Sequence, residues 1–277
     1  MRHFPHSAIR KLRWLLLIIV TATTGLFTTA CGTPGATVGM ANTNNTAPPA
    51  TTALTTSSVP ILLFIGTGTS SGDVSAVETL LGSLKLSYHT ATSSQLNSMS
   101  ETQIRAYKLL IVPGGNSITI GKYLSKTATT NIQNAVQQGG MHYLGFCAGG
   151  FFGGYSIYNG LNLTSGVWFN FYADYFKGIH KAAVEISRPG QSTLDIYWQD
   201  GPQLSGWGSA VGKYSDGTPA IVEGKSGLGW VILTGIHPEA PLSWRTGMSF
   251  TTTVSTDIAY AGTLVKAALY GTALPHY

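Results

Sequence analysis

The pattern of apolar and polar positions divides the chain sharply. From Pro60 onward, short apolar runs alternate with stretches of helical spacing. "ILLFIG" (61–66) is a compact apolar run bounded by turn residues, the mark of a buried strand. "TGTSSGDVS" follows as a loop, with Asp73 or Ser75 placed to cap the helix that "AVETLLGSL" predicts. "KLSYHTA" reads as a second strand. "SETQIRAY" reads as a short helix with Ser100 at its cap and Glu101 in its first turn. "KLLIVPGG" is a third strand ending in glycines. "TATTNIQNAVQQGG" is a helix stopped at Gly139, and "MHYLGF" is a fourth strand. Strands alternating with helices predict a mostly parallel sheet with helices on both faces. Ligands of such sheets bind at the carboxyl ends of the strands. The glycine-bearing loops "GTGTSSG", "PGGNS" and "GFCAGG" all fall at that edge.

Before Pro60 the pattern is different. "MRHFPHSAIRKLR" is basic, "WLLLIIV" is apolar, and "TATTGLFTTAC" is rich in small residues. That order is the grammar of a signal peptide, residues 1–30, and implies export. The apolar stretch 14–20 is too short to span a bilayer unless the Thr-rich stretch joins it. The end "TTAC" resembles a bacterial lipobox, with Cys31 as the lipidated residue; Thr28 stands where Leu or Val is usual, and simple cleavage near Ala30 is the alternative. Residues 31–58 are almost entirely Thr, Ala, Asn, Gly, Pro and Ser, without charge or aromatic side chain after Cys31. Such a segment buries too little apolar surface to offset its ordering entropy and reads as a tether. The expected organisation is therefore a leader, a tether and one folded domain over 59–277. The expected location is the cell envelope, with a lipid anchor in the membrane and the domain facing the periplasm or exterior.

Charge changes little beyond this. The net charge of +5 includes Arg2, Arg10, Lys11 and Arg13 from the leader; removing those four from 16 basic side chains leaves 12 against 11 acidic ones. The remainder is nearly neutral, which argues against a nucleic-acid surface. No His/Cys/Asp grouping shows metal-ligand spacing, so neither metal nor cofactor is expected. "GTGTSSG" lacks the Lys of a phosphate loop and reads as a turn.

Two cysteines are present. If Cys31 carries lipid, Cys147 is unpaired, and a lone buried thiol is ordinarily inert. Its neighbourhood argues otherwise. "YLGFCAGGFFGG" fits a strand–turn–helix corner with the cysteine on the sharp turn, a nucleophile elbow. Gly145, Gly149 and Gly150 permit close packing there. The sulfur would lie at the positive end of a helix dipole, and the Ala148 N–H could face an oxyanion. "GWVILTGIHPEAP" supplies a base: His237 at the end of a buried strand, with Glu239 two positions on, on the same side if the backbone is extended. A carboxylate beside an imidazole fixes its tautomer and raises its basicity. "WFNFYADYF" (168–176) crowds six aromatics into nine residues, as core, lid or pocket wall.

Together these motifs resemble the class I glutamine amidotransferase-like superfamily, a flavodoxin-like α/β fold with a doubly wound, mostly parallel sheet and a nucleophile elbow. More narrowly the chain resembles its biotin-protein ligase N-terminal domain-like group. The matching pieces are "ILLFIGTGTSSGDV", "YKLLIVPGGNS", "YLGFCAGGFFGG", "LDIYWQDGPQL" and "AIVEGKSGLGWVILTGIHPE", from about residue 60 to 242. The resemblance implies Cys147 as nucleophile, His237 as base then acid, and Glu239 as its orienter. It implies an oxyanion hole from Ala148 and Gly114 or Gly115. Asn116, Asp200 and Gly201 become substrate-binding candidates, though Asn116 reads equally as a turn or cap residue and "WQDGPQL" as a turn between strands. Stress-response and peptidase relatives share the elbow, but "HPE" favours the amidotransferase branch. The group's name does not imply ligase chemistry, and no stretch reads as a biotin- or ATP-binding half. Two functions follow: a thiol hydrolase or amidotransferase-like enzyme acting on a small-molecule or peptide amide, or a non-catalytic binding module that keeps the fold.

Overall fold

The computed structural model describes residues 59–277. In chain order its elements are β1 (Ile61–Phe64), α1 (Ser71–Ser83), β2 (Tyr88–Ala91), α2 (Ser93–Ser98), α3 (Glu101–Arg105) and β3 (Leu109–Val112). Next come α4 (Ser117–Tyr123), α5 (Lys126–Gln137), β4 (His142–Phe146), α6 (Ala148–Gly153), β5 (Asn170–Phe171) and β6 (Lys181–Arg188). The chain closes with β7 (Gln191–Gln199), β8 (Pro202–Gln203), β9 (Ser209–Lys213), β10 (Pro219–Ser226), β11 (Gly229–Thr234) and α7 (Val254–Tyr270). The expected signal peptide, Cys31 and the tether lie outside the described residues. Among those described, no helix is long and apolar enough to cross a membrane.

Nine strands form one sheet in the order β2-β1-β3-β4-β11-β10-β9-β6-β7. Its first five strands are parallel, and β10, β9, β6 and β7 extend it antiparallel. The apolar runs explain the parallel half. Each alternates its side chains between two cores, because successive Cβ atoms point to opposite faces. Ile61, Leu63, Leu109, Ile111, Leu144 and Ile232 pack with Val77 and Leu81 of α1 and Leu264 and Val265 of α7. Leu62, Phe64, Leu110, Val112, Val231 and Leu233 pack on the other face with Ile104, Ile132 and Val136 of α3 and α5. This is the doubly wound arrangement expected from the sequence. The long antiparallel extension was not anticipated in detail.

Helix starts follow local chemistry. Ser100 and Thr92 make full capping boxes with Gln103 and Gln95. Ser125 caps α5 and Thr253 caps α7. Helix α1 departs from expectation: Ser70, not Asp73 or Ser75, is the cap and accepts from the Asp73 N–H. Asp73 is thereby inside the first turn, with its carboxylate free to point elsewhere.

Candidate active site

Four strand ends converge at the carboxyl edge. The turn after β4 holds Cys147, in a backbone conformation of φ 46° and ψ −101° immediately before α6. L-residues avoid positive φ, so this is a strained position held by its surroundings. What holds it is visible. The Cys147 N–H donates to the Thr234 carbonyl at 2.8 Å, tying the turn to the end of β11. A Cβ on Gly149 would stand 2.0 Å from the Val112 carbonyl oxygen, and one on Gly145 would stand 2.3 Å from that of Gly149. Only glycine allows strand, turn and helix to approach this closely. The sharp corner read from "GFCAGG" is therefore present.

Thr234 also leads directly to the imidazole. His237, three residues beyond β11, donates its backbone N–H to the Tyr197 carbonyl at 2.8 Å. Its ring packs edge-on against Trp244, with centroids 5.6 Å apart. The Nδ1 atom lies 3.0 Å from Glu239 Oε1. The pairing does not arise from extended backbone, as the spacing suggested. Ala240 N–H donates to His237 C=O at 3.1 Å, closing a turn that folds Glu239 back under the ring.

A second carboxylate shares that nitrogen. Asp73 Oδ1 lies 3.2 Å from His237 Nδ1. Both acids and the imidazole are buried. With Nδ1 engaged by carboxylates, Nε2 is the ring nitrogen left for the Cys147 sulfur, whose charge acts on the ring. The sulfur itself donates to the Gln199 carbonyl at 3.4 Å.

The electrostatics follow from this crowding. Burial disfavours the imidazolium, but Cys147, Glu239 and Asp73 together outweigh it and hold the His237 pKa well above the usual histidine range. Burial also opposes the Asp73 carboxylate, yet His237 and Ser70 prevail and its pKa is lowered. For Glu239 burial wins, and its pKa is raised despite His237. Asp73, His237 and Glu239 also place ligand atoms within 4.8 Å of one another, a grouping invisible in linear spacing. Both carboxylates converge on a single ring nitrogen: Glu239 takes its hydrogen bond, and Asp73 Oδ1 stands beside it as a buried charge partner without a hydrogen bond.

The remaining candidates separate. Ala148 and Gly115 line the cavity beside Cys147. Gly115 occupies the non-hydrogen-bonded position of an antiparallel bridge with Thr69, so its N–H is not consumed by the ladder. Gly114 has a packing role instead: a Cβ there would stand 2.0 Å from Asp73 Oδ1 and 2.7 Å from His237 Cε1. Asn116 lines the cavity and also caps α4, accepting from the Thr119 N–H at 2.9 Å. Asp200 sits at the cavity mouth, 2.9 Å from His180 Nδ1. Gly201 is packed against the Gly235 carbonyl and does not line the cavity. The aromatic segment divides: Trp168, Phe169, Phe171 and Tyr175 face the cavity, while Tyr172 stacks on Tyr214 in the core. Sequence reasoning missed Asp73, Tyr197, Gln199 and Trp244. The S-x-x-D spacing from Ser70 to Asp73 was the available signal for Asp73, since it fixes the cap at Ser70 and frees the acid.

Residues 59–181 match the family model described as biotin-protein ligase, N terminal. No curated protein matches the chain. Among solved structures, a glutamine amidotransferase superposes with a TM-score of 0.51 at 19% identity, over 65% of this chain and 90% of that one. PurLQS from Thermotoga maritima superposes with a TM-score of 0.50 at 15% identity, over 74% of this chain and 97% of that one. The described domain has the class I glutamine amidotransferase-like fold, and over 59–181 it carries the biotin-protein ligase N-terminal pattern.

Proposed function

We propose that the chain is an exported, lipid-anchored thiol hydrolase of amidotransferase-like type that cleaves an amide through a Cys147 thioester. The observation that carries this reading is the strained Cys147 turn facing an imidazole whose far nitrogen is held by Glu239 and Asp73. Strain of this kind persists where surrounding structure enforces it, commonly at reactive positions.

The roles follow from the contacts. Cys147 Sγ attacks the amide carbonyl carbon, and the thiol proton passes to His237 Nε2. The oxyanion that forms meets the N–H groups of Ala148 and Gly115. The C–N bond breaks as His237 returns the proton to the leaving nitrogen. Water then attacks the thioester, His237 takes its proton, and the thiol is regenerated. The sum is amide plus water giving carboxylic acid plus amine. Glu239 and Asp73 act on the reacting atoms through the imidazole and are positioning residues. An activated ester such as p-nitrophenyl acetate tests the scheme. It should acylate Cys147, seen by peptide mass spectrometry, and turn over only with His237 present. Ester consumption at the rate without protein, with Cys147 unmodified, contradicts it.

The N-terminal pattern supports delivery to the envelope, with residues 1–30 as leader, Cys31 as the lipidated residue and 31–58 as tether. Cys31→Ala should move the protein from the membrane fraction to the soluble exported fraction. Unchanged fractionation rules the anchor out.

A further inference from the structure

The cavity above Cys147 is much larger than a primary amide requires. Its volume is about 1140 Å³, above the roughly 300–1,000 Å³ of pockets that enclose drug-sized ligands. Nine of its 26 lining residues are Phe, Tyr or Trp. The rings organise into a wall: Phe171 stacks on Tyr175 at 4.0 Å, and Phe151 meets Phe171 edge-on at 5.0 Å. The rim continues this character outward. Trp168 is 64% exposed and Ile157 79%, with Tyr155, Tyr158 and Ile118 each about half uncovered. Contiguous exposed apolar surface around a concave site marks a place where a ligand is covered.

Charge is nearly absent by contrast. Asp73 and His237 are engaged with each other at 3.2 Å. Asp200 is bound to His180 at 2.9 Å, and that pair is turned to solvent. Among the described residues, Lys181 is the one charged lining side chain without a charged partner. A free amino acid such as glutamine presents an α-ammonium and an α-carboxylate. Binding it in this cleft would desolvate both, with no unengaged acid to receive the ammonium. An uncharged body bearing rings or branched apolar groups avoids that charge-desolvation cost and gains stacking on the aromatic wall.

We infer that the substrate is not free glutamine but a larger, uncharged amide whose aromatic or apolar body lies along the Phe171–Tyr175–Trp168 wall while its carbonyl reaches Cys147. The inference rests on the reading of Cys147 as the nucleophile and deepens it. It predicts selectivity that reactivity alone does not supply.

The test uses the full chain and two affinity labels with the same chloroacetamide head. One carries a naphthylmethyl group on its nitrogen. The other is built on 2,3-diaminopropionate, which keeps the zwitterion of glutamine. Labelling of Cys147 is followed by mass spectrometry against concentration. The aromatic label should saturate and react at least about tenfold more efficiently, the scale on which apolar pocket contacts discriminate. Trp168→Ala and Tyr175→Ala should each erode that preference several-fold, and a change at exposed Trp168 leaves the core intact. Equal efficiency of the two labels, or a preference that both variants leave untouched, overturns the inference. Iodoacetamide, which has no body to recognise, separates the two claims. If its reaction with Cys147 is unchanged in His237→Ala, the nucleophile reading fails whatever the labels show. If that reaction is His237-dependent while the labels are equivalent, only the substrate class fails.

Discussion

Asp73 turns a two-residue pairing into a shared one. Nδ1 lies 3.0 Å from Glu239, which takes its hydrogen bond, and 3.2 Å from Asp73, which adds a second negative charge, so neither acid alone sets the state of the ring. The His237 pKa is raised, which means the imidazolium persists above its ordinary value near 6.5. By linkage this group stabilises the fold fully below that ordinary value, and the contribution is lost as pH climbs through the raised one. NMR titration of ¹⁵N-labelled His237 should show that high midpoint. Asp73→Asn should lower it by removing one favourable charge, and Asp73→Glu should restore part of the shift. A midpoint indifferent to Asp73 would show that the acid only packs. At this scale Cys147, His237 and Glu239 were legible because glycines lie close on both sides of the first and only Pro238 separates the others. Asp73 was hidden because its partner lies on the far side of the sequence. A local rule assigned it to its own helix.

The elements explain why the elbow exists at all. Gly149 approaches the Val112 carbonyl so closely that a methyl group cannot enter without moving α6 or β3. Gly149→Ala should therefore cost both stability and Cys147 reactivity, read as a lowered thermal midpoint and slower alkylation. Retention of both would mean the corner tolerates a Cβ. Leu110→Ala, in the middle of β3 and fully buried, should cost about 2–5 kcal/mol, measured by denaturant unfolding, while leaving the site geometry in the folded fraction. The parallel strands were readable because each is a short apolar run that feeds both cores. The antiparallel strands β6 to β9 were harder. They alternate buried and exposed residues, as in Lys181–Arg188, and their pairing partners are set by tertiary context rather than by any local signal.

Across the whole domain, the site draws on both halves of the sheet. The parallel half contributes Cys147 and the β11 end that leads to His237. The antiparallel half contributes the Tyr197 carbonyl that receives the His237 N–H and the Gln199 carbonyl that receives the thiol. An apparently peripheral extension thus supplies one wall of the site, and linear motifs could not reveal it. The near-neutral charge outside the leader agrees with a cavity that is aromatic rather than ionic. The central claim remains the partnership of one sulfur and one ring. The most direct measurement is the rate of Cys147 alkylation by iodoacetamide at mildly acidic pH, in the wild-type chain and in His237→Ala. The account predicts that the variant reacts at least about tenfold more slowly, because a cationic imidazole facing the sulfur favours the thiolate, the form that attacks iodoacetamide. Equal rates in the two proteins would contradict it, leaving the turn at Cys147 as architecture alone.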